Sequence, residues 1–355
     1  MSGARGPGGV PPLDVDLLRG FGFACRPDCG LCCYAEPRVN PEEKQRLIRI
    51  VPDAEFVGRS ADEFLAAAPD GGACRLLSQN RCTAHAARPH PCREFPLTAH
   101  VGTRLQATVV LSCPGVDLSA LARYSPTEGG GPRLGFPTEL AALRERVDTS
   151  VGKRLDASAR RRRKVVRRLE SDDRWVEESE VRATLGESIP LPSDADFPAE
   201  DPPSAEEGVE LLPLFFDDRT SPVALSEGLG GWELLELRPE GGISNSLGVV
   251  PPPNHRPTVR ADAQDTLRGY LRYWLARDGL FGTVHLRMME ASDGTVTEWV
   301  EEELRAIGAI VLSRAEVRAK VRRGETGELS RADVEAGVRA TDQDLLDRES
   351  WGDRL

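Results

Sequence analysis

Eight cysteines are the residues of this chain that most plainly could do chemistry. Four of them, Cys25, Cys29, Cys32 and Cys33, fall within the stretch "FACRPDCGLCCYAEPRV" (Phe23–Val39). The other four are Cys74, Cys82, Cys92 and Cys113. Thiolates are soft ligands that suit zinc, copper(I) and iron–sulfur clusters. Two residues between cysteines let both sulfurs reach one metal, and Cys29-Gly30-Leu31-Cys32 has that spacing. Cys25 lies four residues before Cys29, within reach of the same centre. Cys33 adjoins Cys32, and neighbouring side chains point apart, so Cys33 serves another metal position or none. The later thiols sit beside turn-forming residues, in "GGAC", "SQNRC", "RPHPC" and "CPG". Eight thiols satisfy two four-cysteine sites, or one cluster with spares, and the spacing does not choose. Two blander readings compete: buried small hydrophobes, or a disulfide framework, which a reducing compartment disfavours. Four cysteines within nine residues weigh against both.

The elements that must position these thiols can be read in outline. Asn40-Pro41-Glu42-Glu43 has the marks of a helix start: a cap, a first-turn proline, then acids at the positive end. That helix is expected to run to Ile50. Ser60 is expected to cap a second helix through Ala68. "TRLQATVVL" (Thr103–Leu111) is strand-like by its β-branched content. All eight cysteines precede Leu121, which sets a metal domain at 21–121 behind a flexible N-terminus at 1–20. After the turn-rich Tyr124–Pro137, Leu140, Leu143, Val147, Val151 and Leu155 share one helical face, giving a helical segment over 137–185. Residues 186–208 are acidic and proline-rich and read as a linker. The remainder, 209–355, reads as an α+β domain. It has strands at "VELLPLFF" and "WELLELRPEGGISNSLGVV", a helix over Asp262–Arg277 and a strand at "TVHLRMME". A helix follows from Thr297 to Ala306, closed by Gly308 before a short "AIVL" strand. The expected class is thus α+β: a small loop-rich cysteine-cluster metal domain, a helical segment and an α+β C-terminal domain.

Charge and composition narrow the partners. The net charge of −11 opposes bulk attraction to nucleic acid or an anionic membrane. Lys153–Arg168 is the single hint of nucleic-acid contact. No aromatic residue interrupts it to stack on bases, and the acidic "ESDDRWVEES" that follows can neutralise it. It reads as a solvated helix face. No apolar run approaches the roughly 20 residues of a membrane span, and residues 1–12 lack the apolar core of a secretory signal. These features give the expectation of a cytoplasmic chain without membrane contact. The C-terminal domain is the expected docking surface for any protein partner. His255 and His285 stand alone and read as exposed or structural rather than catalytic.

The cysteine pattern resembles the CxxCxxCC-type family, described as zinc- or iron-chelating domains. The matching blocks are "FACRPDCGLCC", "CRLLSQNRCTAHAARPHPCREFP" and "SCPG". They carry all eight cysteines together with Arg88, Pro89, Arg93, Phe95 and Pro96. The resemblance covers about Phe21–Gly115. It departs from the family in the three-residue gap Arg26–Asp28, and in Ala84-His85 where the family has Ile-Tyr. It implies that the eight cysteines are metal ligands. Some members carry the label flagellin lysine N-methylase, which implies an alternative: an iron-dependent enzyme using S-adenosylmethionine. Cys25-x3-Cys29-x2-Cys32 also matches the triplet of radical S-adenosylmethionine enzymes, but the strand–helix repeats of their barrel do not follow. One CxxC knuckle, unequal later gaps and the terminal Cys113-Pro114 favour an iron–sulfur cluster over zinc. No residue outside the cysteine region is assigned a catalytic role, and the sequence leaves enzyme and non-enzyme readings both open.

Overall fold

The computed structural model describes residues 11–355 apart from 27–28, 35–36, 60–61, 69–71, 125–134, 198–209, 215–222, 229–230, 252, 325–326, 347–352 and 355. Residues 1–10 of the flexible N-terminus and 198–208 of the linker expected from the sequence, about half of each, and most of the connector after Tyr124 therefore lie outside the described residues.

The fold is α+β. Its first part is built from short strands: β1 (Leu13–Asp14), β2 (Arg38–Val39), β3 (Phe56–Arg59), β4 (Asp62–Leu65), β5 (Leu77–Ser78), β6 (Arg81–Cys82), β7 (Leu97–Val101) and β8 (Leu105–Val109). Between them come helices α1 (Pro41–Ile50) and α2 (His90–Glu94). Three further helices follow: α3 (Pro137–Glu145), α4 (Thr149–Ser171) and α5 (Glu178–Glu187). Then come strands β9 (Glu210–Leu214), β10 (Val223–Gly228), β11 (Gly231–Leu237) and β12 (Ile243–Val250). The chain closes with α6 (Ala261–Leu275), α7 (Asp278–Glu290), α8 (Val296–Arg323), α9 (Arg331–Leu346) and the short β13 (Asp353–Arg354). The sheets run in the orders β1-β8-β7-β13, β12-β11-β10-β9 and β2-β4-β3, with β5-β6 a separate hairpin.

Strand β8 shows why the site and the C-terminal helices are mechanically joined. All five of its residues are buried. Buried polar groups need partners. Gln106 finds them on the chain between α6 and α7, donating to the Ala276 carbonyl at 3.2 Å and accepting from Asp278 N–H at 2.9 Å. The Tyr273 hydroxyl takes the Val109 N–H at 2.7 Å. One buried apolar cluster accordingly contains Leu97, Leu105, Val109, Leu111 and Cys113 together with Leu271, Phe281, Leu312 and Val338. A smaller cluster under the cysteine loops joins Val39, Leu47, Leu65, Cys74 and Leu76, with Cys33 and Cys82 packed against it.

Several expected elements appear as read. The Asn40 side chain accepts from Glu43 N–H, the Glu43 carboxylate returns the bond to Asn40 N–H, and α1 ends at Ile50. The strands around Glu210–Leu214 and Gly231–Val250 form, with Gly241 and Gly242 at positive φ in the turn between β11 and β12.

Three expectations are corrected. In place of the helix expected from Ser60 to Ala68, Asp62–Leu65 form strand β4, hydrogen-bonded to both β2 and β3, and Ala67 makes an isolated bridge to Cys74. Pairing on both edges outweighs the helix propensity of "DEFLAAA". The strand expected at "TVHLRMME" lies in helix α7, whose buried Leu280, Phe281, Val284, His285 and Met288 recur at three- and four-residue steps. The helix expected to close at Gly308 starts at Thr295, its true cap, and runs through to Arg323, so the strand expected at "AIVL" lies within it. Gly308 is not a terminus there. A Cβ on it would stand 3.0 Å from Pro192 Cδ, so the glycine admits the close approach of that segment. Gly324, at φ +77°, makes the real C-cap.

Candidate metal centre

The structure draws the eight cysteines together from five separate stretches of chain. The segment before Cys25 pairs with the segment after Cys113. Phe23 bridges Val116, Ala24 N–H donates to the Gly115 carbonyl at 3.0 Å, and Asp117 N–H donates to the Gly22 carbonyl at 2.9 Å. Gly115 is required at this crossing, since a Cβ there would meet the Ala24 carbonyl oxygen at 2.6 Å. Gly30, at φ +64°, makes the tight turn that feeds a short 3-10 helix, Leu31–Tyr34. Buried Leu31 anchors this helix and leaves Cys32 at the surface. The Cys33 carbonyl accepts from Cys74 N–H at 2.6 Å, which fixes the fifth thiol beside the first group. Gln79 and Asn80, both at positive φ, turn the β5–β6 hairpin that presents Cys82. Cys92 rides on α2, and Glu43 of α1 holds that helix. Having closed its own cap through Oε2, this buried carboxylate accepts His90 N–H on Oε1 at 2.6 Å.

The result is one cavity of about 370 Å³ with all eight cysteines in its wall. Apolar side chains such as Phe23, Leu47, Leu76 and Phe95 complete it, with Arg26, His85 and Arg88 also facing it. His85 is solvent-exposed, and the Arg88 charge holds its imidazole below the usual histidine range. Among the described residues, no three His, Cys, Asp or Glu side chains converge at ligating distance on a single ion. The eight thiols ring the cavity.

Electrostatics ties this ring to one thiol. Burial pushes Cys25, Cys29, Cys74, Cys82, Cys92 and Cys113 upward, Cys113 to about 12. Each of the six is raised further by the charge of Cys32, so Cys32 lies within electrostatic reach of all of them. Cys33 hydrogen-bonds to Cys32, which lowers Cys32 and raises Cys33. The Arg88 guanidinium opposes burial at Cys25, Cys82 and Cys92 and adds to the lowering at Cys32. Its Nε donates to the His85 carbonyl at 3.2 Å, which holds it in place.

Two residues that sequence reasoning missed secure the Cys113 loop from α9. Arg339 donates to the carbonyls of Leu111 at 3.2 Å, Val116 at 2.8 Å and Cys113. Asp342, fully buried, accepts Leu111 N–H at 2.7 Å and is itself paired with buried Arg277 at 3.1 Å. No motif announces these contacts, because more than 220 residues separate the partners.

The other sequence candidates lie elsewhere. His285 is fully buried in α7 beside Trp175 and Phe281. His255 is exposed and bonded to Asn254. In the basic run on α4, Arg162 pairs with Glu178 and Arg168 with Asp172. No described helix is long and apolar enough to cross a membrane.

The chain matches no curated protein and no solved structure. Residues 24–113, about a quarter of the chain, match the family model described as "CxxCxxCC: Putative zinc- or iron-chelating domain", the family expected from the cysteine spacing.

Proposed function

We propose that the eight thiols hold an iron–sulfur centre in this cavity and that the protein is a metal-centre protein of redox or structural role. The observation that carries this reading is the convergence of all eight cysteines on one cavity. The donor set is soft and all-sulfur apart from exposed His85, which suits iron–sulfur or zinc. Eight thiols lining one cavity are twice the four that a single zinc takes, which supports a polynuclear core over a lone ion. An iron–sulfur cluster would supply one-electron chemistry there.

The protein's own residues would serve that centre in distinct ways. Buried thiols with raised proton affinity stay neutral until metal displaces their protons, so metal uptake releases protons. Arg88 offsets the negative charge gathered at Cys25, Cys32, Cys82 and Cys92. Of the eight thiols, Cys74 and Cys113 are buried from water. Anaerobic purification followed by metal, sulfide and visible-absorption analysis tests the reading. Iron with stoichiometric acid-labile sulfide, about four per cubane cluster, is the expected result. Colourless protein that carries zinc alone would overturn the iron–sulfur assignment, and protein that takes up neither metal would overturn the whole reading.

A further inference from the structure

A second cavity of about 880 Å³ lies away from the thiols, between β1, β8, α5 and α6. Four arginines face it: Arg104, Arg123, Arg182 and Arg272. Two of them are spent on the protein. Arg104 and Arg182 both reach buried Asp278 Oδ1 at 3.1 Å, and Arg104 also pairs with Asp14 at 2.8 Å. Thr103 fixes the other oxygen of Asp278 at 3.0 Å. The floor is thus a rigid network whose charges are already matched. Asp16, at the rim, pairs with Arg19.

The walls are different. No described residue hydrogen-bonds to or ion-pairs with the guanidinium of Arg123, on the turn before Tyr124, or of Arg272, on α6. Tyr124 also lines the cavity. Among the described lining residues, Glu187 is the single carboxylate without a described partner, against the two guanidinium groups of Arg123 and Arg272. Leu17, Leu275 and Ala183 give an apolar flank. Gly186 faces open space, since a Cβ there would meet nothing within 4 Å. The volume falls within the range of small-molecule sites.

We infer that this cavity binds a small organic oxyanion, a carboxylate or a phosphate ester, whose charged group is held between Arg123 and Arg272. The planar guanidinium fork matches either group bidentately. Apolar atoms of the ligand lie against Leu17 and Leu275.

Isothermal titration calorimetry on the full-length, metal-loaded protein tests the site, with adenosine monophosphate and citrate as the two probes and neutral adenosine as control. One oxyanion per chain is expected to bind with a dissociation constant below about 1 mM, and adenosine is expected not to bind. Adenosine monophosphate alone would point to phosphate, and citrate alone to carboxylate. Arg272→Gln should weaken binding about tenfold or more, the loss of a charge-assisted hydrogen bond. Gly186→Leu fills the cavity from an α5 position where helix propensity rises, so it should abolish binding while the thermal midpoint does not fall and metal content stays at the parent level. No saturation by either probe would overturn the inference, and so would binding that is unchanged in both variants.

Discussion

The guanidinium of Arg339, on the last long helix, donates to the backbone carbonyl of Cys113 while it also holds the carbonyls of Leu111 and Val116. The thiol that completes the cysteine pattern is therefore positioned by the C-terminal region. Replacing Arg339 with Gln would keep one donor group and lose the fork. The expected cost is about 2 kcal/mol from unsatisfied, largely buried carbonyls, together with metal content below that of the parent. Chemical denaturation and metal analysis on the same preparation check both. A loss of stability with unchanged metal would separate the loop from the centre.

Glu43 makes a comparable link nearer the thiols, because one buried carboxylate caps α1 and also accepts the first N–H of α2. Glu43→Ala removes both bonds. It should cost about 2 kcal/mol and loosen Cys92, which α2 carries. Faster alkylation of Cys92 in metal-free protein, followed by mass spectrometry, is the expected readout.

Gly269 sits inside α6 where a Cβ would stand 1.7 Å from the Leu121 carbonyl oxygen. Alanine there favours the helix by about 1 kcal/mol but collides with backbone that cannot yield. A net loss of about 3 kcal/mol is expected, measured by the denaturation midpoint. Stabilisation by Gly269→Ala would show that α6 and the Leu118–Arg123 turn do not pack as described.

His285 gives a pH dependence with a definite sign. Burial, helped by the nearby Arg162 charge, lowers its pKa from 6.5 to about 3. Between those values the unfolded chain binds the proton and the folded chain does not. Stability from this group is complete above pH 6.5 and falls as pH drops toward 3. Each pH unit in that window is worth about 1.4 kcal/mol for one group. His285→Phe should unfold at lower pH than the parent in an acid titration followed by circular dichroism. An unchanged acid midpoint would mean that His285 gains its proton without leaving the core.

The thiols and their local turns were legible because their information is local. The Cys29–Cys32 spacing and the Asn40–Glu43 cap each lie within a few residues of chain. The misread elements fail where distant packing decides. Thr283 and Val284 have strand propensity, yet the buried Leu280, Phe281, Val284, His285 and Met288 mark one helical face, and burial against the core decides the outcome. Gly308 resembles a stop until Pro192 is seen lying against it. Arg339 and Asp342 carry no local mark at all, since their roles exist only once α9 has docked against the Cys113 loop.

X-ray absorption at the metal edge of anaerobically purified protein tests the central claim most directly. A first shell of sulfur alone at about 2.3 Å, with a second shell of iron, is the expected result. A first shell dominated by nitrogen or oxygen at about 2.0–2.1 Å would contradict the assignment of the thiols as the ligands of this centre.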